Sequence, residues 1–161
     1  MKVASAGLLG VYLNDHLAGS TAGAALARRL ADAEADWAPE LGRISGEIAE
    51  DRETLLGLMA RLDVPVAQYK KAIAWVGERA ARLKPNKRLT ERSPLSRVIE
   101  LETLRLGVEG KAAGWRTLRE VADTEPRLPA ERLEELLARA RRQAEELEKL
   151  RVRAVNEALA R

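Results

Sequence analysis

Five polar side chains stand on helix faces that are otherwise apolar. Asp51, Lys111, Gln143 and Arg151 each fall on or beside a stripe of Leu, Ile and Ala, and His16 lies in the middle of another such stripe. A polar group turned inward is costly unless it is paired. Each therefore marks either a network that sets helix register or a site. The residue types allow three chemistries. Asp51 and Lys111 can form a buried ion pair with the Gln143 amide beside it, or Lys111 can extend outward and leave Asp51 half exposed. His16, Glu47 and Asp51, with a Glu from the second half of the chain, are the candidate metal ligands. His16 alone is either a satisfied core histidine or a general base. Arg151 has Glu100 as its expected partner in a buried pair. No catalytic motif accompanies these residues, and no cofactor is expected. The chain has no cysteine, which rules out disulfides, thiol catalysis and Cys-based zinc sites. Its single histidine argues against a zinc centre built from several imidazoles.

Helices must position these groups. The composition is rich in Ala, Leu, Glu and Arg, with 46% hydrophobic and 3% aromatic residues, and strand-length β-branched runs are absent. The spacing predicts helices over about 4–34, 39–62, 66–83, 94–122 and 130–159. In the first, Leu9, Tyr12, Leu13, His16, Ser20, Gly23, Ala27 and Leu30 share a face. Gly19 and Gly23 lie beside it, where a neighbouring helix is expected to approach closely. Lys2 and the apolar stretch to Leu13 faintly resemble a signal peptide. The helical pattern continues to Glu34, however, and the stretch is read as half of a core helix. Leu41, Ile44, Ile48, Asp51, Leu55, Leu58, Met59 and Leu62 make the second stripe. The helix over 94–122 carries two stripes, one through Leu101, Leu104, Val108 and Trp115, the other through Leu95, Ile99 and Leu106. Gly107, Gly110 and Gly114 lie between them. A helix apolar on nearly all sides is buried on nearly all sides, so the shorter helix over 66–83 is expected along the second stripe. The last helix has a single long stripe from Leu133 to Ala158.

Short turns at 36–39 and 123–129 make two antiparallel hairpins. The thirty residues between the hairpins can run the length of a bundle. That favours an up-down-down-up four-helix bundle with a fifth, shorter crossover helix. Counting from the turns puts Asp51, Lys111 and Gln143 at similar heights near the middle.

The stretch Glu47-Ile48-Ala49-Glu50-Asp51-Arg52-Glu53-Thr54-Leu55 resembles the acidic second helix of ferritin-like bundles. Tyr12-Leu13-Asn14-Asp15-His16-Leu17-Ala18-Gly19 is similar to an uncharacterised group of small bacterial helical proteins. The ferritin-like resemblance covers most of the chain in pattern and implies the same all-α, up-down-down-up fold. It also implies a di-metal site at mid-bundle, where Lys111 would here supply the positive charge. Ferritin-like di-metal proteins take a Glu from each of two helices and Glu-x-x-His from each of the other two. This sequence has no Glu-x-x-His, and its last helix offers Gln143 and Glu146 without a histidine. The resemblance thus carries the fold and not the usual di-iron chemistry.

A formal net charge of +3 is too small to argue for nucleic acid. The one local basic cluster is Lys84, Lys87, Arg88, Arg92 and Arg97. It is read either as a solvated loop or as a site for an anionic partner at the helix start at Ser93. No apolar run reaches the ~20 residues of a membrane span, and a cytoplasmic location is expected. The reading is a non-enzymatic helical module, structural or protein-binding, that self-associates or engages another protein. The alternatives are a divergent metal-binding or oxidoreductase bundle, and a binder of an anionic partner through residues 84–97.

Overall fold

A computed structural model of the chain describes residues 3–67 and 94–159. Four long helices account for nearly all of them: α1 (Val3–Ala33), α2 (Ala38–Arg61), α3 (Pro94–Ala122) and α4 (Ala130–Leu159). There is no strand among the described residues. No described helix is long and apolar enough to cross a membrane. The expected helix over 66–83 and the loop with Lys84, Lys87, Arg88 and Arg92 lie outside the described residues.

The helices form because each presents one apolar stripe that cannot be buried alone. Leu13, Leu17 and Leu30 of α1, Leu41, Ile44 and Met59 of α2, Leu101, Leu104 and Leu118 of α3, and Leu133, Leu136 and Leu147 of α4 are almost fully buried in one shared core. Each such side chain contributes roughly 1.5–3 kcal/mol. That outweighs the many exposed ion pairs, worth about 0–1 kcal/mol apiece.

The helix ends are set locally. A single 3₁₀ turn, Ala35–Trp37, joins α1 to α2, and Pro39 occupies the first turn of α2. Trp37 is buried there, with the Arg97 guanidinium 4.8 Å and the Arg153 guanidinium 5.0 Å from its ring centre. At the other end of α2, Asp63 adopts φ 55°. The Asp63 amide donates to Ala60 O (3.2 Å) and the Val64 amide to Met59 O (2.9 Å). This pair of bonds closes the helix carbonyls in the manner of a Schellman cap.

Cross-helix pairs fix the directions. Arg52 donates to Thr21 across α1 and α2. Tyr12 meets Thr117, and Arg29 meets Glu100, across α1 and α3. Arg119 meets Glu134, and Arg97 meets Glu157, across α3 and α4. In the last two pairings, residue numbers rise on one helix as they fall on its partner, so α1 and α3 are antiparallel, as are α3 and α4. Leu95, Ile99 and Leu106, on the second stripe of α3, are exposed, and the helix expected along that stripe lies outside the described residues.

Candidate functional site

The polar residues on the inward faces of α2, α3 and α4 meet at mid-bundle. Lys111 Nζ donates to Asp51 Oδ2 (2.5 Å) and to Gln143 Oε1 (2.5 Å). Gln143 Nε2 donates to Glu47 Oε2 (2.8 Å). Arg139 donates through one guanidinium nitrogen to Asp51 Oδ1 and through the other to Glu50 Oε2 (3.0 Å). Arg43 closes the outer end, pairing with Glu47 (2.8 Å) and with Glu146. Asp51 and Gln143 are each only 1% exposed, and the Lys111 side chain 12%. The geometry follows from helical spacing. Asp51 lies four residues after Glu47, and Arg139 four before Gln143, so both pairs sit on one face of antiparallel α2 and α4. Four residues up one helix match four down the other.

Charge balance governs this cluster. Burial pulls the Lys111 ammonium below the ordinary lysine range, and Asp51 only partly restores it. Burial also opposes the charge on Arg139, but Asp51 and then Glu50 outweigh it and hold the guanidinium above its usual value. Burial works to raise Glu47. The hydrogen bonds from Gln143 and Arg43 prevail, and its carboxyl falls below the usual range. Two inward carboxylates, Glu47 and Asp51, thus face two inward cations, Lys111 and Arg139.

The remaining helix, α1, contributes no polar group to this layer. Alongside it, α1 presents Gly19 and Gly23, and a cavity of about 320 Å³ opens between α1 and α3. Its walls include Leu13, Leu104, Val108 and Trp115, and both Asp51 and Lys111 line it. The close helix approach expected at Gly19 and Gly23 is not found. A Cβ added at Gly19, Gly23, Gly107 or Gly110 would meet nothing within 4 Å. Gly114 is the exception, for a Cβ there would lie 2.9 Å from His16 Nδ1. The His16 ring therefore packs on the bare backbone of α3, tilted 57° against Tyr12 at 4.4 Å. Burial lowers its pKa, with Asp15 acting the other way.

Several expected placements change. Arg151 does not reach Glu100. It folds along its own helix to Glu148 (2.7 Å), while Glu100 takes Arg29 from α1 (3.0 Å). A long side chain finds the carboxylate one turn away at a smaller entropic cost than one across the bundle. Arg97 does not belong to a free basic cluster, because it pairs with Glu34 and Glu157, both at 2.7 Å, and covers Trp37. The candidate metal set does not assemble either. Among the described residues no three His, Asp or Glu side chains stand in ligand-like proximity. Glu47 and Asp51 spend their oxygens on Gln143, Arg43, Lys111 and Arg139, and His16 lies apart against Gly114.

Arg139, Arg43 and Glu146 belong to the network and are not distinguished by the sequence stripes. The signal available for Arg139 was its four-residue spacing from Gln143. The chain matches no family model, no curated protein and no solved structure.

Proposed function

We propose that the protein is a non-enzymatic helical-bundle module, structural or protein-binding, in which a charged network occupies the place of a di-metal site. The connectivity behind this reading is the ferritin-like up-down-down-up arrangement. It is supported by the antiparallel pairings of α1 with α3 and of α2 with α4, and by the thirty residues between the hairpins. The reading includes a crossover helix over 66–83, a cytoplasmic location and self-association.

One observation carries the proposal: both inward carboxylates of α2 are already held by cations. Asp51 accepts from Lys111 and Arg139, and Glu47 from Arg43 and the Gln143 amide. A metal ion at this position would have to displace an ammonium and a guanidinium from a low-dielectric interior. It would do so without the histidines that di-metal bundles use. The donor set does not fit a di-metal centre.

The experiment is anaerobic titration of untagged protein with Fe(II), Mn(II) and Zn(II), read by calorimetry and by metal content after desalting, alongside sedimentation velocity. The proposal expects no stoichiometric metal and an assembly larger than a monomer. One metal ion or more per chain, lost in Asp51→Asn, would overturn the network reading. A monomer at high micromolar concentration would overturn self-association.

A further inference from the structure

We propose that the cavity between α1 and α3 is a binding site for a small, neutral, mostly hydrophobic molecule bearing one hydrogen-bond-accepting oxygen, which Lys111 receives. This goes beyond the structural role of the network, since it concerns the side of Lys111 that the network does not use.

The argument starts from valence. An ammonium has three N–H donors. Lys111 Nζ has two protein acceptors, Asp51 Oδ2 and Gln143 Oε1, and the residue lines the cavity. A largely buried ammonium donor left without an acceptor is costly. Trp115, 3% exposed, is also in the cavity wall, and its indole N–H has no hydrogen-bond partner. The third Lys111 donor and the Trp115 indole N–H therefore belong to one cavity whose wall is otherwise largely aliphatic side chains and glycine, with Asp15, His16, Ser20 and Asp51 as its other polar residues. The ligand that complements them is hydrophobic over most of its surface and supplies oxygen lone pairs at one end.

Charge favours a neutral ligand. Lys111 and Arg139 are already balanced by Asp51 and Glu47, and exposed Asp15 adds a carboxylate at the cavity rim, so an anion would face Asp15 and Asp51 while an ammonium would compete with Lys111 for Asp51. Volume sets the size. At about 320 Å³, the space is about twice the roughly 150 Å³ that accommodates benzene in an apolar protein cavity. A two-ring molecule fits. The space exists because α1 and α3 turn glycine toward it. In a helix interior, glycine costs roughly 0.5–1 kcal/mol relative to alanine, and at Gly19, Gly23, Gly107 and Gly110 no close packing offsets that cost.

Calorimetric titration with three probes tests the proposal: α-tetralone (neutral, one carbonyl), tetralin (the hydrocarbon) and tetralin carboxylate (the anion). The ketone is expected to bind about ten-fold tighter than tetralin, the worth of one good hydrogen bond, and tighter than the anion. Gly110→Leu projects a side chain into the cavity and should abolish binding. Gly19→Leu does so from the opposite wall and serves if the first variant loses its helical circular dichroism. Gly46→Leu, on the exposed side of α2, should bind as the parent does. In Lys111→Met the ketone should lose its advantage over tetralin. Failure of all three probes to bind would overturn the proposal. So would equal affinity for ketone and hydrocarbon, tighter binding of the anion, or full binding by folded Gly110→Leu or Gly19→Leu.

Discussion

Gly114 carries no side chain because His16 occupies the space that one would need. Most glycines of this chain could accept a methyl group, and α-helices favour alanine by about 1 kcal/mol. Gly114 differs, since its added Cβ would stand 2.9 Å from a ring nitrogen and 3.1 Å from a ring carbon of His16. Overpacking of this kind typically costs 1–3 kcal/mol. Gly114→Ala should therefore lower stability by about 1–2 kcal/mol net of the gain in propensity. In a His16→Ala background the sign should reverse, with the same substitution stabilising by about 0.5–1 kcal/mol. Urea unfolding of the four proteins reads this cycle, and an equal effect of Gly114→Ala in both backgrounds would contradict the contact. At this scale the sequence singles out His16 as an inward residue. It does not distinguish Gly114 from Gly107 and Gly110, because all three fall at helical spacings of three and four residues along α3, and only the fold buries Gly114 beneath His16 while leaving the other two exposed. Arg151 was misplaced for a similar reason: stripe position locates its Cα, while its long side chain selects the carboxylate one turn away.

The four described helices follow closely from periodicity, because apolar stripes at helical spacing leave little choice. Their ends depend on chemistry that is less visible. The turn between α3 and α4 is held by Glu125, buried though it lies in a loop, which accepts from the Arg127 backbone and guanidinium. Arg127 reaches on to Asp63 and to Arg61 O, tying the end of α2 to the α3–α4 turn at one end of the bundle. These bonds pull the Glu125 carboxyl down from the ordinary 4.5 to about 2. The sign of the linkage follows. The unfolded chain binds the proton first as pH falls, so the clamp stabilises the fold fully above about pH 4.5 and is lost as pH drops toward 2. Denaturation midpoints measured across that range should fall less steeply for Glu125→Gln than for the parent. Parallel acid limbs would show that the clamp contributes nothing. Glycine spacing was the weaker guide among the elements. Gly19 and Gly23 permit a close approach of α3, but the larger Leu13, Trp115 and Leu118 on the same faces leave a cavity instead.

For the molecule as a whole, the mid-bundle network is where a polar layer from three helices replaces hydrocarbon. Height counting from two short turns was enough to bring Asp51, Lys111 and Gln143 together on paper, since helical rise is constant and the turns fix the zero. The place of Arg139 in the network is not legible, because the sequence sets it among other charges on α4, where it reads as solvated. Energetically, a buried ion pair costs much to desolvate, and its removal in halves costs more than its removal entire. Asp51 is 1% exposed and holds both Lys111 and Arg139, so the network should behave as buried. The direct measurement is denaturant unfolding of the parent, Asp51→Ala, Lys111→Met, and the double variant with Asp51→Leu and Lys111→Met. Asp51→Ala, which strands two cations, should cost about 3–5 kcal/mol, and the double variant should recover much of that loss. Single variants within about 1 kcal/mol of the parent, as for an exposed pair, would contradict a buried charged network at the centre of this bundle.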